Sequence, residues 1–259
     1  MFDRTTLINW LLLMSLVLLW GTSFMFVSIS VESLHPLTTV FYRVFIGALI
    51  LTAVAYAKGL KLPLSISAWL SFIVMGAVGY VLPFFLISWG QLSVNSGIAG
   101  MIMATMPLIT MILAHYLVDG EDLNRYKVLG FTFGIGGIGV LLGPIFEGGG
   151  QAIYGGIAIF IAASSYAVNT ILVRRLPKLN PFISTSGVLI SATIIVFPIW
   201  LFVVPTNNTE VSTLILGSTI WLGIGPTAIA TLMLFAVINR AGPTFLSTIN
   251  YMILSLIHI

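Results

Sequence analysis

A cationic side chain inside an apolar run is the most chemically pointed feature of this sequence. Arg43 sits within PLTTVFYRVFIGALILTAVAYA, residues 36–57. A charge at the centre of a membrane-length helix costs roughly 2.5–3.5 kcal/mol on insertion scales and marks a pathway, a ligand or a partner. Two roles are open: contact with a substrate carboxylate or a gate, and a structural anchor. The anchor is feasible because Arg43 lies only about 10 Å along a helix starting near Pro36, within reach of the outer interface.

A second set is aromatic and small-polar. Trp20, Thr22 and Ser23 share one apolar run, Tyr166 and Asn169 another, and Tyr80 and Asn250 lie in two more. Such groups at mid-membrane must face protein or water, because lipid accepts and donates no hydrogen bonds. They suit the lining of a substrate cavity, with ring faces for an apolar or cationic ligand. They suit equally well interhelical hydrogen bonding and packing. Trp89, Gln91 and Asn95 flank the end of Tyr80's run, where interfacial anchoring accounts for the tryptophan.

Other chemistries lack their residues. There is no cysteine, hence no disulfide, thiolate metal site or thiol nucleophile. No HExxH, no phosphate loop, no nucleophile with a nearby base and no His or carboxylate cluster occurs, so neither catalysis nor a cofactor nor a metal is expected. His115 stands alone at a helix end and reads as structural. No clear intramembrane carboxylate is present to carry a proton, which leaves the energy source open.

The elements that position these residues follow from composition. Hydrophobic residues are 59% of 259 and charged residues 7%, with a mean hydropathy of +1.13. A soluble core of this size would need a charged shell that the sequence lacks. The net charge of +3 is spread thinly rather than clustered, which argues against nucleic acid. A helix needs about 20 apolar residues to cross the hydrocarbon. On that ruler spans fall at Ile8–Ser30, Thr38–Ala57, Ala68–Trp89, Ser96–Leu117, Val128–Ile145, Tyr154–Val173, Pro181–Val204 and Thr213–Ile238, with a ninth beginning near Thr244. The first run passes Trp20 without a small-residue cleavage site, so it reads as a span rather than a signal peptide. Gly130, Gly134, Gly137 and Gly143 in the fifth allow close helix packing or contact with a second copy, and a homo-oligomer stays open.

With the N-terminus in the cytoplasm, the inside segments hold Arg4, Lys58, Lys61, Arg125, Lys127, Arg174, Arg175, Lys178 and Arg240, while the outside segments hold Glu32, Glu147 and Glu210. This is the expected excess of cytoplasmic Lys and Arg. A shift of about 146 residues pairs Trp20 with Tyr166, Pro36 with Pro181 and Gly76 with Gly223. One unit is then about five helices. An odd number of crossings makes the second unit enter from the opposite side, giving inverted-topology repeats.

Several stretches carry a family resemblance: WGTSF at 20–24, mid-helix Pro107 leading to Gly120-Glu121-Asp122, the glycine-rich fifth span, Tyr154-Gly155-Gly156 opening a helix that ends in LVRRL, and NRAGPTFLSTINYMI at 239–253. In order and spacing these resemble EamA-type transporters of the drug/metabolite transporter superfamily. The resemblance implies an all-α polytopic transmembrane helix bundle of two inverted five-helix repeats, ten helices in the full-length family and about nine here. It divides the chain into a first repeat, 1–146, and an incomplete second, 147–253. It implies a bacterial inner-membrane carrier of a small-molecule substrate, exporting amino acids or related metabolites, with uptake or drug efflux in some relatives. Its cavity would be lined by the first four helices of each repeat, hence by Trp20, Thr22, Ser23, Arg43, Tyr80, Tyr166, Asn169 and Asn250. Glu121 matches the family's acidic loop, where it caps the next helix or pairs with Arg125. A non-transporting membrane scaffold is the competing reading. After Ile253 relatives continue with a proline and a tenth helix, whereas residues 254–259 read LSLIHI. That hexapeptide is the in-frame translation of a transposase adapter end, CTGTCTCTTATACACATC, so the natural frame is expected to diverge there.

Overall fold

In the computed structural model the described residues are 4–118, 125–141, 143, 149–174, 179–205, 211–247, 249 and 252–253. They form helices joined by short turns, with no strand among them. Helix α1 is Arg4–Val31 and α2 is Pro36–Ala57. Helix α3 spans Ile66–Gly90, and α4 spans Ser96–Leu117 with a turn at Ala104 and Thr105 just before Pro107. Helix α5 is Arg125–Leu141, α6 is Gly149–Arg174 and α7 is Pro181–Val203. Helix α8 starts at Thr213 and runs to Ser247. Seven of these are long and apolar enough to cross a membrane; α5, with 17 residues, is the exception. The chain is an all-helical, multi-pass membrane bundle.

Helices are the only open-ended element whose backbone polar groups are all satisfied within one segment, which a span in lipid requires. Their starts are written locally. Pro36 and Pro181 occupy first-turn positions where a missing N–H costs nothing. The residue before each caps the turn: His35 Nδ1 accepts from the Leu37 N–H at 3.2 Å, and Asn180 Oδ1 accepts from the Phe182 N–H at 3.0 Å.

Helix α2 packs most extensively against α7, α1 lies along α8, and α6 lies along α3 and the second half of α4. Among the described residues three apolar clusters fill the seams, two of them large. One gathers Leu13, Leu16, Val27, Ile159 and Leu222; the other gathers Val40, Val44, Leu51, Leu189 and Val196. Large apolar side chains such as Leu49, Phe133 and Phe202 cover the outside, the inverse of a soluble protein.

Both α3 and α8 are interrupted mid-course by a π-helical turn, Ala77–Val81 in α3 and Gly223–Ile229 in α8. The shift of about 146 residues that pairs Gly76 with Gly223 also relates these two turns. Glycines admit the neighbouring helices there. A Cβ on Gly76 would lie 2.9 Å from the Ala192 backbone nitrogen on α7, and one on Gly223 would lie 2.7 Å from the Ile46 Cβ on α2.

The observed helix bounds follow the apolar runs, with two main differences. Helix α6 begins at Gly149, whose φ of 75° turns the chain into it, rather than at Tyr154. The described helix after the second π turn continues through Arg240 and Pro243 to Ser247, with no break before Thr244. A proline removes one N–H, which a membrane helix tolerates. In α5 only Gly134 makes a close approach, 3.1 Å from Leu108; a Cβ on Gly130, Gly137 or Gly143 meets nothing within 4 Å. Among the described residues the glycines of α5 therefore pack little. Glu121, Asn250 and residues 254–259 lie outside the described residues.

Gly76→Ala should lower stability by about 1–3 kcal/mol, because the new methyl meets backbone that cannot step aside. Gly217→Ala, with nothing within 4 Å of its Cβ, should be neutral or gain up to ~1 kcal/mol from helix propensity. Unfolding of the two variants in detergent micelles checks both.

Candidate functional site

Arg43 is 6% exposed, so the structure does not use it as an anchor reaching the interface. Its side chain turns inward from α2 toward the second π turn. Nε donates to Thr227 Oγ1 at 2.8 Å, and Thr227 in turn donates to the Leu222 carbonyl at 2.8 Å. That carbonyl lies at the entry to the π turn, so the arginine is pinned to the irregular part of α8. The guanidinium carbon stands 3.6 Å from the centroid of the Phe84 ring, a close cation–π contact from α3.

Around this pair the aromatic residues converge. Tyr80 meets Phe84 edge-on at 5.6 Å, and Tyr166 of α6 meets the same ring edge-on at 6.5 Å. Both tyrosines lie within electrostatic range of Arg43. Tyr80 also interacts with Thr231, one turn beyond Thr227 on α8. The site is therefore built from α2, α3, α6 and α8. Among the described residues, Thr227 is the one hydrogen-bond partner of Arg43, and no carboxylate lies within ion-pair distance of it. All seven acids of the chain are outside the seven spans. A guanidinium has five N–H donors in a planar fork. With one of them spent on Thr227, its terminal amino groups keep the geometry that grips a carboxylate through two parallel hydrogen bonds.

The other expected residues divide into neighbours and bystanders. Trp20 Nε1 donates to the Pro226 carbonyl at 3.1 Å, tying α1 to the turn that carries Thr227. Ser165, beside Tyr166, donates to the Val78 carbonyl at 2.6 Å, so α6 ties to the π turn of α3 in the same manner. π-Helical geometry leaves carbonyls without their usual i+4 partner, and each of these side chains supplies one. Asn169 presses on Gly79, where an added Cβ would lie 2.6 Å from its amide, and its Oδ1 is buried with no partner among the described residues. Thr22 and Ser23 do not join the cluster: their hydroxyls donate to the Leu18 carbonyl at 2.6 Å and the Trp20 carbonyl at 2.7 Å. Asn250 falls outside the described residues.

Phe84, Thr227 and Thr231 belong to the site and were not singled out from sequence. The signal for the two threonines is GIGPT at 223–227, a Gly/Pro-interrupted run in the middle of a span, which points to a binding site in a carrier with repeats; Phe84 carries no such signal.

A cavity of about 800 Å³ opens at the end of the bundle where the α1–α2 and α7–α8 connections meet. Glu32, His35, Thr38, Tyr42, Trp200 and Thr219 are on its wall. Between Thr38 and Arg43 along α2 lies Phe41, stacked on Trp200 at 4.6 Å and 12°. Trp200 Nε1 donates to Thr38 Oγ1 at 3.1 Å, closing α2 on α7 beside the cavity.

The sequence profile of the EamA-like transporter family matches residues 7–143. The uncharacterized transporter YoaV of Bacillus subtilis (strain 168) is 26% identical over 160 residues, 60% of this chain and 53% of that protein. The uncharacterized inner membrane transporter YedA of Escherichia coli (strain K12) is 28% identical over 170 residues, 63% of this chain and 52% of its own length. An uncharacterized transporter of Archaeoglobus fulgidus is 24% identical over 220 residues, 83% of this chain and 75% of that one. The chain thus spans about half the length of several of the curated relatives it matches. A crystal structure of a protein with 21% identity superposes with a TM-score of 0.65, over 96% of this chain and 93% of the other, and shows the same fold.

Thr227→Val should cost about 1.5–3 kcal/mol of stability, the range for a hydrogen bond to a charged group. In an Arg43→Met background most of that cost should vanish. Unfolding of the four members of this double-mutant cycle measures the coupling.

Proposed function

The chain belongs to the EamA-like transporter family, and on that premise we propose that it is a secondary carrier of the bacterial inner membrane that exports small carboxylate-bearing metabolites, such as amino acids, by alternating access. The observation that carries the substrate class is Arg43, a buried guanidinium with no acid beside it among the described residues. In a low-dielectric interior such a charge is costly until an anion joins it. A ligand carboxylate satisfies the terminal amino groups and pairs with the charge. The faces of Tyr80, Phe84 and Tyr166 would hold the rest of a small molecule.

The same charge weighs against the other carrier reading, efflux of amines or cationic drugs. An ammonium placed beside Arg43 meets like-charge repulsion with no acid to offset it. A scaffold without transport has no use for a buried arginine within a span that faces a ring cage instead of an acid.

Alternating access needs two bundles that rock about a fixed site. We take the bundles to be the repeats 1–146 and 147–253. The support is the crossed packing: α1 of one half lies on α8 of the other, α6 lies on α3, and α2 meets α7 between them. The tethers from Trp20 and Ser165 to the two π turns follow the same exchange. The distribution of Lys and Arg supports a cytoplasmic N-terminus.

Arg43→Ala should lower amino-acid export at least tenfold, with the amount of folded protein in the membrane unchanged. The magnitude follows from losing a charged hydrogen bond worth about 1.5–3 kcal/mol. Unchanged flux would contradict the assignment. Trp20→Ala and Asn169→Ala should each reduce transport at normal expression; loss of folded protein would instead make them packing residues.

A further inference from the structure

Arg43 is the sole Asp, Glu, Lys or Arg within the seven membrane-length spans, Thr6–Val31, Pro36–Ala57, Ile66–Gly90, Ser96–Leu117, Gly149–Val173, Pro181–Val203 and Thr213–Leu234. Arginine stays protonated at any physiological pH. The unloaded site therefore carries one positive charge, which neither a neighbouring acid in those spans nor a proton can remove. In a carrier that opens its site first to one side and then to the other, that charge is first at one bulk potential and then at the other. A fixed site charge crosses the membrane field even when the arginine itself hardly moves.

We propose that the membrane potential drives the carrier through Arg43, with the unloaded return as the voltage-sensitive step and a bound monoanion as the switch that silences it. This rests on the reading of the chain as an alternating-access carrier with Arg43 at its substrate site. Charge balance follows each arm of the cycle. Loaded with a monoanionic carboxylate, the site is neutral and its outward step moves no charge. Released outside, the anion leaves a +1 site, and the inside-negative potential pulls that site back to face the cytoplasm. One negative charge leaves per turn, and no coupling ion is required. A zwitterion leaves the site charge uncancelled in both directions, so the potential gives its net export nothing. The driven class is thus small carboxylates with a net charge of −1. The absence of any Asp or Glu from the spans, a puzzle for proton coupling, is what this mode of driving requires.

The test needs no substrate. The chain has no cysteine, so Thr38→Cys, on the wall of the large cavity, places a single thiol there in proteoliposomes. A membrane-impermeant maleimide in the bath then reads only carriers whose cavity end faces the bath. With potassium gradients and valinomycin setting the potential, a positive bath should slow labelling and a negative bath should speed it. The limit is about 50-fold per 100 mV for one charge crossing the whole field. Arg43→Gln in the same background should label at one rate at every potential, and Arg43→Lys should retain the dependence. Labelling of the Thr38→Cys parent that ignores the potential overturns the proposal, whether or not the Gln variant folds. So does a dependence that survives Arg43→Gln or disappears in Arg43→Lys. Failure here leaves carboxylate recognition standing, since that is read by flux in the Arg43→Ala variant.

Discussion

A single guanidinium held within the thickness of the membrane, without an acid in any spanning helix to pair with it, is the constraint around which this bundle is arranged. Insertion of an isolated charge is costly, and the chain lessens that cost in three ways. Thr227 takes the Nε proton, the Phe84 ring lies under the guanidinium carbon, and two tyrosines stand close by. None of these neutralises the charge. What remains is an electrostatic demand for an anion, and the proposed function is that demand stated as transport.

Irregular backbone makes the arrangement possible. A straight α8 would satisfy the Pro226 carbonyl internally or leave Thr227 on another face; the π turn from Gly223 to Ile229 re-aims the threonine and exposes a carbonyl for Trp20. The matching turn from Ala77 to Val81 does the same for Tyr80 and Ser165. Non-helical backbone at membrane depth is tolerated where protein buries it, and here α6 and α7 cover the turn of α3 while α2 covers that of α8. Gly76 and Gly223 let those helices come within touching distance. The residues around Arg43 and the seams where α2, α3, α6 and α8 meet are thus one structure.

Much of this was legible in the sequence because lipid enforces simple rules. Length, hydropathy and the placement of Lys and Arg locate the spans, since a helix in hydrocarbon has no other way to satisfy its backbone. Arg43 stood out for the same reason. Its neighbours did not, because Phe84 is one phenylalanine among seventeen and only the crossing of α2 over α3 and α8 selects it. Thr22 and Ser23 show what sequence leaves open: small hydroxyls within a span often bond the preceding turn of their own helix, as both do here. The pairing of Gly76 with Gly223 comes from the spacing of small residues, but periodicity could not foresee the π turns that lie at both positions. Those arise where Gly and Pro weaken the ladder and a neighbouring side chain takes up the freed carbonyl.

The most direct measurement is binding of an amino acid and of its decarboxylated amine to the purified protein, phenylalanine against phenethylamine, by titration calorimetry in detergent. The two differ by the carboxylate alone. If Arg43 is the recognition group, phenylalanine binds and phenethylamine binds at least tenfold more weakly, the loss of about 1.4 kcal/mol or more. Equal or tighter binding of the amine would contradict a site built around an unpaired guanidinium.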